Sequence, residues 1–266
     1  MIYDEFFSYL NLVKALKKAG IKKNYSVFLT TNIALMGQPA SKNKNKLKTK
    51  SHWVLKAVKE IIGKKGNIFV PTYSYTFQTK QKRIFRPKNT RSEIGYFPNF
   101  FLKKKVIRSL DPMVSVSGQG PSVKNILIGA SNTSYGKNCV FERLLKIKNL
   151  KCISIGLGIN WIPFIHYLDW VNKAPFRYDK YFKGYIQINK KLKYLVKWHY
   201  PVRYLNSKSS ISNGYKLGSL AYKKKMFKES YIGRGKIYNI DYKKYFNFCI
   251  KSSKKNKWIT ANGNKR

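Results

Sequence analysis

The 266-residue sequence predicts an α/β fold, and three observations predict it. Short apolar runs of strand length alternate with segments of helical periodicity through the first two-thirds of the chain. A mass of 31.1 kDa is large enough for a real core, since surface scaling buries about 73% of the unfolded chain's surface at this size. A hydrophobic fraction of 43%, with 15% aromatic, supplies the side chains to fill that core and excludes a wholly disordered chain.

The elements follow in order. Residues 4–19 (DEFFSYLNLVKALKKA) set Phe6, Leu10, Val13 and Leu16 on or near one helical face, with acids first, lysines last and Gly20 as the stop. YSVFLT at 25–30 reads as a buried strand, and 37–50 (GQPASKNKNKLKTK) as a polar, mobile loop. Ser51 is placed to cap a helix over 52–63, and Gly66 precedes a strand at 67–71 (NIFVP). A long irregular stretch from Thr72 to about Gly95 carries Pro87, Thr90 and Ser92 and reads as a functional loop. Helices are expected over 96–104, 121–128 and 140–147, then a strand CISIG (152–156), a glycine turn and a helix from Trp161 to Asn172. Beyond Gly184 come strands at 184–189 and 193–200, a helix at 216–226, a short strand at 236–239, a helix at 241–251 and a polar tail, 251–266, that should fray. The expected division is a core over 1–183 and a smaller C-terminal section over 184–266.

Charge narrows the partners. The net charge is +45, carried by 46 lysines and only nine arginines. Proteins that read nucleic acid favour arginine, whose planar fork pairs bidentately, so no nucleic-acid partner is expected and most lysines read as solvated. A field of this strength still draws in anionic substrates. Cys139, Cys152 and Cys249 have no paired spacing, which suits a reducing, cytoplasmic setting. MIYDEFFSYL has two acids before the first lysine, the reverse of a secretory signal, and no 18-residue apolar run marks a membrane span.

Where lysines are missing, a constraint operates. Residues 152–172 hold neither Lys nor Arg, and 106–123 only Arg108. These segments contain Asp111, Asp169 and His166. His166 and Asp169 stand at i and i+3, on one face of a helix. By spacing alone the pair is either a general base with its orienting acid or a core histidine satisfied by a neighbour. His52, at a helix start, and His199, in a lysine-rich strand, carry less chemistry. SIGLGIN (154–160) lacks the complete dinucleotide-binding glycine pattern, and Trp161 and Pro163 follow where that pattern needs a small-residue helix start. The phosphate-loop, serine-elbow and HExxH patterns are absent, no metal is expected, and acyl transfer stays open.

Five segments in order resemble the aminoglycoside 3-N-acetyltransferase family: SVFLTTNIALMG (26–37), IIGKKGNIFVPTYSY (61–75), IFRPKNTRSEIGYFPNFF (84–101), VIRSLDPMVSVSGQGP (106–121) and the stretch 134–170 ending in HYLDW. The C-terminal part, with MFKESYIGRGKIYNIDYKKYF (226–246), resembles family members that N-acylate nucleotide-linked amino sugars. The resemblance implies a three-layer α/β/α sandwich with a mixed sheet, acyl transfer from acetyl-CoA or another acyl-CoA to a primary amine, and pairing as a homodimer. It places the family's His-x-x-Glu on His166 and Asp169, the former as general base. Thr30, Thr31, Ser115, Thr90 and Ser92 are then expected on the coenzyme and oxyanion side, and Asp111, Thr72 and Ser74 on the acceptor side. The sequence departs from the family at Asp111-Pro112, where the family has His-Pro, at Thr30-Thr31-Asn32, where it has His-Ser-Ser, and at Asp169 for Glu. Charge favours an anionic nucleotide-linked amino sugar as acceptor over a polycationic aminoglycoside, the alternative. Of other classes, a basic nucleic-acid-binding protein and an inactive relative are the competing readings.

Overall fold

A computed structural model of the chain describes residues 6–79 and 83–263. In chain order the first half comprises β1 (Phe6–Phe7), α1 (Tyr9–Lys18), β2 (Ser26–Thr31), β3 (Gln38–Pro39), α2 (Lys46–Ile62), β4 (Asn67–Pro71), β5 (Ile84–Phe85), α3 (Tyr96–Leu102), β6 (Ile107–Arg108), β7 (Val116–Gln119) and α4 (Val123–Leu127). The second half comprises α5 (Val140–Leu144), β8 (Leu150–Ile155), α6 (Ile165–Val171), β9 (Arg177–Gln187), β10 (Lys193–Arg203), α7 (Tyr215–Lys223), β11 (Lys228–Ile232), β12 (Gly235–Asp241) and α8 (Tyr242–Lys255).

Seven strands form one mixed sheet in the order β11-β12-β8-β2-β4-β7-β6. The centre is parallel, β8 and β4 flanking β2, and each side is closed by antiparallel strands. Successive side chains of a strand point to opposite faces, and β2 shows what that does here. Val27 and Leu29 enter a cluster with Leu16 of α1, Val58 of α2 and Phe101 of α3. Phe28 enters a second cluster with Phe141 of α5, Leu168 of α6, Leu217 of α7 and Tyr242 of α8. Helices therefore cover both faces, which is the three-layer α/β/α arrangement. Phe28, Phe69 and Leu29 are completely buried, and each side chain of this kind stabilises the fold by about 1.5–3 kcal/mol. A smaller sheet, β10-β9-β5, lies on the second cluster through Phe182, Ile186, Val196 and Trp198.

Several expectations are corrected. Asp4 and Glu5 lie outside the described residues; the helix starts at Tyr9, capped by Ser8, whose hydroxyl accepts from the Asn11 amide. Leu16 is buried and Val13 packs beside it as expected, but Phe6 and Leu10 are exposed, and the rest of the packed face is Leu12, Ala15 and Ala19. The second helix starts a turn and a half earlier than expected, where Asn45 accepts from the Lys48 amide, so Ser51 is interior and buried. The strand at 228–232 was not expected; it pairs with β12 as the sheet's edge. The tail does not fray through 263: α8 runs to Lys255, and Ile259, Thr260 and Ala261 are buried, with Ala261 bridging to Ser212. Residue 183 lies inside β9, and β12 from beyond it pairs with β8 of the central sheet. No helix among the described residues is long and apolar enough to cross a membrane.

Candidate active site

From β2 the chain continues to β4 on one side, and it later returns to β8 on the other. The strand order thus reverses at β2, and crevices for ligands form at the carboxyl ends of parallel strands at such a reversal. A cavity of about 350 Å³ lies there, lined by Thr30 and Thr31 at the end of β2, Val70 and Pro71 of β4, and Leu157 and Trp161 after β8. Gly156 makes the turn out of β8 possible. Its φ is +69°, and a Cβ would sit 2.4 Å from the Asn32 carbonyl, so no other residue lets the two strand ends come this close.

That turn delivers α6 and its acid–histidine pair. Asp169 is buried, and His166 Nδ1 lies 3.5 Å from its Oδ2. A third residue stands between them. Arg177, at the start of β9, donates from Nε to Asp169 Oδ2 at 2.6 Å and from Nη2 to His166 Nδ1. The guanidinium is held further by the Pro201 carbonyl at 3.0 Å and the Ser212 hydroxyl at 3.1 Å. The other carboxylate oxygen of Asp169 accepts from the Thr260 hydroxyl. Burial, then the Arg177 charge, pushes the His166 pKa below its ordinary value, so the ring is neutral at neutral pH. Tyr135 packs edge-on against the ring, centroids 5.4 Å apart. The His166 side chain keeps 28% exposure, and its Nε2 makes no hydrogen bond to another described residue.

The other expected residues are dispersed. Thr30 and Thr31 reach the cavity; the Thr30 hydroxyl donates to the Ile153 carbonyl, while Thr31 Oγ1 is buried without a partner among the described residues. Asp111 is buried, and its Oδ1 accepts from the amides of Met113 and Val114 and from the Ser134 hydroxyl. Expected at the acceptor, it instead holds a turn of its own chain, and burial raises its pKa to about 6. Thr72, Ser74 and Ser115 are buried too, bonded to the Ser115 carbonyl, the Pro112 carbonyl and the Thr72 carbonyl. Ser92 donates to the Tyr73 carbonyl, and Thr90 accepts from the Arg86 amide. Arg108 gathers this region: its guanidinium donates to Ser115 Oγ and to the carbonyls of Thr72 and Thr90, fixing the long loop against β7. His199 has both nitrogens engaged, by Thr133 and Asp179, each at 2.7 Å.

Sequence reasoning missed Arg177 and Thr260. A signal for the first was its scarcity: it is one of nine arginines in a lysine-rich chain, eight residues after Asp169. Thr260 carries no signal, because only folding brings the turn after α8 back to α6.

Two more cavities lie beside Asp169 and the crevice, and His166 lines neither of them nor the crevice. One of about 540 Å³ is lined by Asp169, Trp170, Arg177, Tyr178 and Asp179. Another, about 1060 Å³, shares Gly95 and Tyr96 with the crevice and carries Lys48, Lys88, Arg91, Lys103 and Lys104.

The sequence model of the aminoglycoside 3-N-acetyltransferase family (Antibiotic_NAT) matches residues 41–253. No curated protein matches the sequence. Among solved structures, the chain is similar to AAC-VIa with bound sisomicin, at 16% identity and a TM-score of 0.78, covering 94% of this chain and 98% of that one. It is similar to AAC-IIIb in a binary complex with CoASH, at 13% identity and a TM-score of 0.78, covering 94% and 97%. It is also similar to the YokD protein from Bacillus subtilis, at 14% identity and a TM-score of 0.75, covering 94% and 100%. At these identities the likeness shows a shared fold.

Proposed function

Since the chain belongs to the aminoglycoside 3-N-acetyltransferase family, we propose that it transfers an acyl group from a coenzyme A thioester to a primary amine, with His166 at the reacting centre. The observation that carries this reading is the free edge of His166: a neutral, part-exposed ring whose Nε2 has no partner among the described residues, on the helix that follows the sheet's reversal point.

The cavities fit the donor. An acyl-CoA has a slender, largely apolar thioester arm and a nucleotide end with three phosphate groups. The crevice beside Thr31 accepts the first; the depression joined to it at Gly95 and Tyr96 offers five basic side chains and no acid to the second. On the acceptor side, the nucleotide-linked amino sugar expected from net charge gains no support, and the family description favours an aminoglycoside amine. The cavity beside Asp169 offers Trp170 and Tyr178 as planar surfaces for sugar rings.

In the reaction the amine nitrogen attacks the thioester carbonyl, charge gathers on oxygen, the carbon–sulfur bond breaks, and the amine's surplus proton ends on the released thiol. A ring with a bare Nε2 would take that proton; a ring with Nε2–H would donate to the carbonyl oxygen. Three free, buried cysteines support a reducing, cytoplasmic setting. The test is thiol release from acetyl-CoA across a panel of aminoglycosides and an amino-sugar nucleotide, for the native chain and His166→Asn. Release with an aminoglycoside, lost at least 10²-fold in the variant, is the expected result; release with the sugar nucleotide alone, or unchanged turnover in the variant, overturns it.

A further inference from the structure

Eight of the ten acids lie among the described residues. Four of the eight lie against a basic side chain, and three accept hydrogen bonds. Glu93 is the exception. It is exposed, and its carboxylate has neither an ion pair nor a hydrogen bond with another described residue, in a chain with 55 basic side chains.

The loop before α3 sets this acid apart from those bases. The Glu93 amide donates to the Tyr73 carbonyl at 2.8 Å, and the Ser92 hydroxyl donates to the same carbonyl. The Asn99 amide group clasps the Ser92 backbone from α3. Arg91 lines the basic depression and Ile94 lines the crevice, but Glu93 lines neither. Its charge acts instead on Tyr75. Burial first, and then this charge, raises the phenol's pKa to about 12, so the phenol stays neutral beside the carboxylate.

Tyr75 is half-buried and has a φ of +47°, a left-handed backbone that an aromatic residue rarely adopts. The fold holds it there: the Ser74 and Tyr75 amides both donate to the Met113 carbonyl at 3.0 Å, and the Thr76 amide donates to the Pro112 carbonyl. Those carbonyls belong to the turn that Asp111 fixes. The Tyr75 phenol lies within electrostatic range of Tyr200. The Tyr200 ring is 5.4 Å from Tyr135, and Tyr135 is 5.4 Å from His166. An aromatic surface thus leads from the open acid to the candidate base. Of the charged groups, Arg177 and Asp169 act on the His166 ring and Glu93 does not, so Glu93 stands outside the reacting centre. An ammonium held by a carboxylate also keeps its proton and cannot attack a thioester.

We propose that Glu93 and Tyr75 form a subsite that selects acceptors with more than one amino group: the carboxylate pairs with an ammonium that does not react, the Tyr75 ring flanks that ammonium, and another amine of the same molecule is left to reach His166. Its consequence for turnover rests on the acyl-transfer reading; the binding itself does not.

Calorimetry of the full chain with tobramycin, which has several amino groups, tests the binding. Glu93→Gln should bind roughly 5-fold more weakly than the native chain, the equivalent of one exposed ion pair. Glu60→Gln makes the same change in net charge at the other end of the molecule's acids, on α2, and should bind as the native chain does. Equal binding by Glu93→Gln, an equal loss in Glu60→Gln, or no binding by the native chain overturns the proposal. The ring signals of Tyr75 in the tyrosine-labelled chain, assigned through Tyr75→Phe, should shift as tobramycin is added; signals that stay put remove the ring from the subsite. In turnover, Glu93→Gln should raise the tobramycin KM and leave kcat and the acetyl-CoA KM unchanged. A lower kcat at unchanged KM places Glu93 at the reacting centre and overturns the subsite. If the native chain releases no thiol with any amine, the acyl-transfer reading falls, while calorimetry still decides whether Glu93 takes an ammonium.

Discussion

The Thr260 hydroxyl donates to Oδ1 of Asp169, 91 residues earlier in the sequence. The carboxylate is buried, so each of its oxygens depends on partners supplied by the chain: Thr260 on one side, Arg177 on the other. The turn that follows α8 is therefore part of the candidate site.

Thr260→Val keeps the shape and deletes the donor. Hydrogen bonds to charged groups contribute about 1.5–3 kcal/mol, and chemical denaturation should show a loss of that size. Thr260→Ser should recover most of it. A Val variant as stable as the native chain would show that the carboxylate does not depend on this hydroxyl.

Asp111 makes stability fall with rising pH. Its pKa rises from 3.8 to about 6 because burial penalises the charged form. A raised value in the folded state means the contribution is fully present below 3.8 and is lost as pH rises through about 6, a total on the order of 3 kcal/mol. Asp111→Asn retains an acceptor for the Met113 and Val114 amides and the Ser134 hydroxyl. It should be more stable than the native chain at pH 7.5, with the gap closing towards pH 4 in thermal melts. His166 works in the opposite direction: its lowered pKa gives stability present above about 6.5 and lost as pH falls below that. Comparing native and Asn chains cancels that contribution.

Ser51 separates two accounts of one helix. As an N-cap its loss would cost about 1 kcal/mol. Inside α2, buried, with Oγ lacking a partner among the described residues, it is a hydroxyl the helix is better without. Ser51→Ala should therefore stabilise by about 0.5–1 kcal/mol in urea titrations.

Thr31 separates stability from binding. Its Oγ1 is buried at the crevice wall without a partner among the described residues. Thr31→Val removes an unsatisfied hydroxyl at nearly constant shape and should gain about 1 kcal/mol of stability. Because that oxygen is buried rather than open to the crevice, KM for acetyl-CoA should stay unchanged; a rise of roughly 5-fold, the equivalent of one hydrogen bond, would show that the hydroxyl reaches the ligand.

Much of the fold was legible locally. NIFVP at 67–71 is bounded by Gly66 and forms β4 over those same residues; the strand expected at 152–156 is β8, Leu150–Ile155, and the lysine-free run begins inside it at Cys152. The pair His166 and Asp169 was legible from spacing on α6. Thr72, Ser74 and Ser115 read as site residues because hydroxyls in a motif-bearing loop resemble ligands; folding turned them onto neighbouring carbonyls.

By itself the sequence determined most of the strands and helices that build a layered α/β core, and which histidine has an acid one turn away, because each depends on periodicity and near neighbours. Only the tertiary structure decided what that histidine's ring is bonded to. Arg177 from β9 and Thr260 from the turn after α8 reach the buried Asp169 only when the layers close, and a carboxylate in a low-dielectric interior stays charged only with such partners.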